Sequence, residues 1–138
     1  MIVTAKEYLS QMKNLDALIQ CRIRELDYWR DLSRRISGCD FEPHYDSNKP
    51  TESKFARCIE KMDEIQREID ENIVCLVALR KKVNFAIDML DSKEEQLLLR
   101  CRYMDNMSWE EIGKMMNVSI RTVHRFHSSA LQNLFVPI

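Results

Sequence analysis

The stretch SWEEIGKMMNVSIRTVHRFHSSAL, residues 108–131, holds two short runs of helical period separated by Met-Asn-Val. Ser108, with Glu111 three residues later, has the spacing of a capping box and predicts a helix from Trp109. Its apolar positions are Trp109, Ile112, Met115 and Met116. Asn117 follows, a residue that tolerates the left-handed backbone of a sharp turn. Ser119 then caps a last helix, residues 119–133, with the apolar set Val123, Phe126, Ala130, Leu131 and Leu134. Two helices joined by a short turn, with a third packed behind, make a helix-turn-helix. Gly113 falls where the two helices cross, and Val118 in the turn can plug into the core.

The last helix divides into two faces. Val123, Phe126, Ala130 and Leu131 point inward, while Ile120, Arg121, His124, Arg125 and Ser128 point outward. No acidic residue lies between Ser119 and Asn133, so the outer face is cationic and polar. Arg reads guanine O6 and N7 in the major groove, Ser and Thr hold phosphate, and an exposed Ile can touch thymine methyls. The plain alternative is that two outward arginines are ordinary surface residues. His124 and His127 stand at i, i+3, but with no carboxylate or thiol partner nearby no metal site is expected.

Outward from this stretch, the chain is 138 residues long with a formal net charge of −1. That excludes a large non-specific nucleic-acid binder and leaves room for a small, local reading surface. Only two Gly and three Pro occur, which favours long helices. Apolar runs are short and broken by charge, so no membrane span is expected. The start, MIVTAKEYLSQMK, is not read as a signal peptide, and the expected compartment is the cytoplasm. The five cysteines (Cys21, Cys39, Cys58, Cys75, Cys101) are scattered, without a CxxC pair; they are read as structural or incidental.

Residues 4–36 read as one helix, capped by Thr4 with Glu7, with a stripe at Tyr8, Met12, Leu15, Ile19, Ile23, Leu26, Trp29, Leu32 and Ile36. Residues 37–51, SGCDFEPHYDSNKPT, are a loop or linker. Residues 52–90 carry the longest stripe: Phe55, Ile59, Met62, Ile65, Ile69, Ile73, Leu76, Leu79, Val83, Ile87 and Leu90. The two stripes predict an antiparallel, coiled-coil-like helical hairpin, with pairing to a second subunit as the competing solution. Seven basic residues are balanced by nine acidic ones over 52–91, a solvated face and not a phosphate track. A helix capped by Asp91 or Ser92 is expected through Leu97, Leu98, Arg100, Cys101 and Tyr103, ended by MDNM. The expected fold is therefore all-α: residues 1–91 form a hairpin and oligomerisation region, and 92–138 a three-helix helix-turn-helix unit.

The segment EEQLLLRCRYMDNMSWEEIGKMMNVSIRTVHRFHSSALQNL, residues 94–134, resembles domain four of the sigma-70 class of RNA polymerase sigma factors. It keeps that pattern without gaps: a Leu-rich helix, R-Y, a break, S-x-x-E-I-G, a turn, then S-x-x-T-V and A-L. With YLSQMKNLDALIQ and the long helix, the whole chain resembles small phage-encoded regulators of the ArpU/RinA type, implicated in late gene transcription. The resemblance implies that the last helix reads a promoter element. Base-reading positions fall on Ile120, Arg121, His124 and Arg125, with Ser119 and Thr122 near phosphates. Ile120 stands where the family usually carries a polar residue. The helix around Leu97 to Tyr103 occupies the part that touches polymerase in sigma factors. Nothing in residues 1–91 resembles their promoter-melting domain, so complete sigma activity is not expected.

The expected function is a sequence-specific DNA-binding transcription regulator, phage or prophage derived. Its DNA-binding residues would be Ser119, Ile120, Arg121, Thr122, His124, Arg125 and Ser128. Double-stranded DNA is the expected partner, with RNA polymerase and a second copy of the chain as further candidates. A phage DNA-packaging recognition subunit and a protein-interaction module that has lost DNA binding remain open as alternatives. No phosphate loop, nucleophile elbow, HExxH or carboxylate dyad is present, so neither an enzyme nor a cofactor is expected.

Overall fold

The computed structural model describes residues 4–38 and 50–136, with side chains from 4–36 and 52–136. The described residues are mostly helical and contain no strand. Two long helices, α1 (Ala5–Gly38) and α2 (Pro50–Asp88), are followed by three short ones. These are α3 (Lys93–Leu99), which widens into a π-helical turn over Arg100–Met104, α4 (Trp109–Met116) and α5 (Ile120–Asn133). Among the described residues no helix is long and apolar enough to cross a membrane.

α1, α3, α4 and α5 each start on a side-chain cap. Thr4 and Glu7 close a reciprocal box at α1, each backbone N–H donating to the other's side-chain oxygen at 3.2 Å. Ser92, and not Asp91, caps α3 by accepting from Glu95 N at 3.3 Å. Pro50 opens α2, a first-turn position where its missing N–H costs nothing; Gly38 belongs to α1. The expected loop 37–51 is thus shorter, and its central residues 39–49 lie outside those described, Cys39 among them.

The chain divides into two compact units, and the division passes through both long helices. The first unit comprises residues 1–16 and 75–138. Its core gathers Tyr8, Leu9 and Met12 from α1 with Val83, Ala86, Ile87 and Leu90 at the end of α2. Leu98, Leu99, Cys101 and Tyr103 add the α3 segment, Ile112 adds α4, and Val123 and Ala130 add α5. Leu9, which lies off the expected α1 stripe, is fully buried here.

The second unit, residues 17–74, is a stretch of α1 against a stretch of α2. Leu26 packs with Ile65 and Ile69, with Ile23, Trp29 and Met62 around them. Arg22 pairs with Glu68. Rising numbers on α1 meet falling numbers on α2, so the pair is antiparallel, as the matching stripes predict. Not every stripe residue packs. Phe55, Ile59 and Ile73 are exposed, and Cys58 takes the buried place at the start of α2. A strict three-four stripe slips about 20° around a straight helix every seven residues, so residues five heptads apart cannot all face one neighbour.

Candidate nucleic-acid interface

The candidate surface is built on α4, its turn and α5, all in the first unit. Ser108 and Glu111 form the capping box expected from their spacing, at 3.2 Å in both directions. Asn117 ends α4 in the left-handed region at φ 59°, ψ 46°. The Val118 N–H then donates back to Gly113 O at 3.0 Å. That bond draws the turn over Gly113 so closely that an added Cβ would lie 3.1 Å from Val118 O and 3.6 Å from Val123 Cγ2. Only hydrogen fits this crossing without displacement. Ser119 caps α5, accepting from Thr122 N at 3.2 Å and sharing a 2.9 Å hydroxyl hydrogen bond with Thr122 Oγ1.

The buried face of α5 is Val123, His127 and Ala130, with Phe126 and Leu131 half-buried. The exposed side carries Ile120, Arg121, His124, Arg125 and Ser128, with Ser119 exposed and Thr122 half-buried at the first turn. The seven candidate residues thus lie along the first two and a half turns of one helix, on or beside its solvent face. No acidic residue occurs from Ser119 onward in the chain, so this face has no carboxylate of its own.

Two features behind this face are missing from the sequence reading. The first is an aromatic stack. The Trp109 ring sits 4.8 Å from the rings of both His124 and His127, and the Arg102 guanidinium lies 4.1 Å above it. Arg102 also donates to Met107 O at 3.0 Å. His127 is a core residue, with Nε2 2.8 Å from the Tyr103 hydroxyl. Burial, then the positive charges of Lys6, His124 and Arg102, pushes its pKa down to about 4. The ring is therefore neutral at physiological pH. Burial likewise raises the Tyr103 hydroxyl, which stays protonated. The second feature is a clamp from α3. Glu95 is buried, and its carboxylate accepts from Ser129 Oγ at 2.6 Å and from Asn133 Nδ2 at 3.4 Å. An i, i+4 pair of small polar residues late in α5, Ser129 and Asn133, is the only trace of that clamp in the sequence.

Together these fix α5 along its length: the Ser119 cap at its start, the Trp109 stack in its middle, the Glu95 clamp at its end. A helix fixed at its start, middle and end presents its exposed face as a pre-shaped surface.

Comparison with curated proteins and with solved structures gives no match. Residues 86–135 match the family model of Sigma-70, region 4, from the last turn of α2 to just past α5. This segment is thus similar to a DNA-binding, non-catalytic regulatory domain of the helix-turn-helix type.

Proposed function

We propose that the chain is a sequence-specific transcription regulator of phage or prophage origin, acting in the cytoplasm and reading the major groove with residues 119–133. The observation that carries this reading is the split of α5. One face is locked by Val123, His127 and Ala130, and the other offers Arg121, His124, Arg125 and Ser128 to solvent with no acid beside them on the helix. Arg121 and Arg125 stand one turn apart, the spacing at which side chains share a face. They are the base readers, through guanine O6 and N7. His124 lies between them against Trp109 and donates or accepts at a base edge. Ser119 and Thr122 sit at the helix start, where N–H groups and hydroxyls suit a phosphate. Ile120, 44% exposed, would touch a thymine methyl. RNA polymerase is the second partner we assign, to the outer side of α3 where Leu97 stays exposed beside Arg100.

The experiment is a binding titration on selected DNA at several salt concentrations. Arg121→Ala should lose about 1–3 kcal/mol against the preferred sequence and relax specificity at one base position. Equal losses on random and preferred DNA would mean that Arg121 contacts only phosphate. No binding by the unmodified protein at moderate salt would reject DNA reading by the chain alone.

A further inference from the structure

α2 has a second face that α1 does not cover. Its exposed residues include Asp70, Val74, Val77, Ala78, Lys81 and Phe85. Val74, Val77 and Phe85 are 69%, 56% and 70% exposed, so no described part of the chain shields them. Steps of four, three, four and four from Asp70 through Val74, Val77 and Lys81 to Phe85 put this row on one side of the helix. Single exposed apolar residues are ordinary, but a row at seam spacing bounded by opposite charges is the pattern of a helix that pairs with another.

The order of the row selects the partner. In one direction it reads acid, valine, valine, lysine; in the other, lysine, valine, valine, acid. Two copies laid antiparallel therefore place Asp70 opposite Lys81 twice and Val74 opposite Val77 twice. A parallel pair would place Asp70 on Asp70 and Lys81 on Lys81. We infer that α2 carries a homodimer seam in which two copies of this chain pair antiparallel through Asp70, Val74, Val77 and Lys81, about a two-fold axis midway between residues 75 and 76. Such a contact is isologous and closes on itself. The side chains are free to make it. Asp70 accepts only from Gln66 on its own helix, at 3.0 Å among the described residues, and Lys81 has no ion pair among them. The same two-fold sets Phe85 opposite Gln66 of the second copy, next to Arg67, which pairs with Asp63 of its own helix. From Arg67 to Phe85 the seam is roughly 27 Å long at 1.5 Å per residue, so the dimer belongs at the small end of specific interfaces. This inference does not depend on what α5 binds.

Sedimentation equilibrium of the full chain across micromolar concentrations tests it, with the variants Asp70→Lys, Lys81→Asp and the double swap. Every substituted side chain is exposed, so thermal melts followed by circular dichroism should overlay the unmodified protein. Each single swap should weaken dimerisation at least about tenfold, because it sets like charges face to face at both ends. The double swap should recover to within about threefold, and an equimolar mixture of the two single variants should dimerise where neither does alone. A chain that stays monomeric throughout overturns the inference. So does a dimer indifferent to the single swaps, as a parallel pair or another face would be, and so does a double swap weaker than either single one.

Discussion

At Gly113 the α4 backbone passes under the carbonyl of Val118, 3.1 Å from where a Cβ would stand. Alanine would gain about 1 kcal/mol of helix propensity over glycine and give part of it back to that contact. Valine adds two methyls where Val123 already packs. Gly113→Val should therefore cost about 2–3 kcal/mol in a denaturant titration, and an unchanged midpoint would show that the crossing is looser than described. His127 supplies a second test at this scale. Its pKa is lower folded than unfolded, so the unfolded chain binds more protons between about 4 and 6.5 and stability rises with pH there. The contribution is full above 6.5 and is lost as pH falls towards 4, by about 3 kcal/mol at most. Melts over that window should fall less steeply for His127→Gln than for the unmodified protein; parallel profiles would exclude His127 as the source.

At the scale of the element, α5 depends on α3 as much as on its own sequence. Glu95→Ala removes the acceptor of Ser129 and Asn133 from a buried place. The loss should be about 1–3 kcal/mol of stability, with faster amide exchange in the last turns of α5 than in α4. Uniform exchange along α5 would show that the clamp does not hold its end. The helix starts were legible in the sequence because a cap is a local device. Thr4 with Glu7, Ser108 with Glu111, Ser119, and the left-handed Asn117 all stand where their spacing puts them. The α5 face was legible for the same reason, apart from His127. A histidine beside two apolar residues gives no sign of a Tyr103 hydroxyl, which lies 24 residues away in sequence. Trp109 read as one more apolar position, because its place between Arg102 and two histidines depends on the packing of three segments. Phe55, Ile59 and Ile73 followed the stripe in sequence, but such a stripe drifts around a straight helix and these three stay exposed.

For the molecule as a whole, a net charge of −1 confines attraction for nucleic acid to a small surface. A regulator built this way binds few phosphates, so its affinity should fall with salt more gently than that of a broadly basic protein. A two-fold pair through α2 would also match the symmetry of an inverted repeat, with two copies of α5 reading two half-sites. Everything proposed for the first unit rests on the exposed face of α5 reading sequence. The most direct measurement is selection of DNA fragments from phage and host genomes by the purified chain, repeated with Arg121→Ala and Arg125→Ala. One discrete motif upstream of an operon is expected, weakened by either substitution at particular bases. Enrichment at a packaging start site would contradict the regulatory role, and enrichment of no motif, or of one indifferent to both arginines, would contradict the reading of α5 itself.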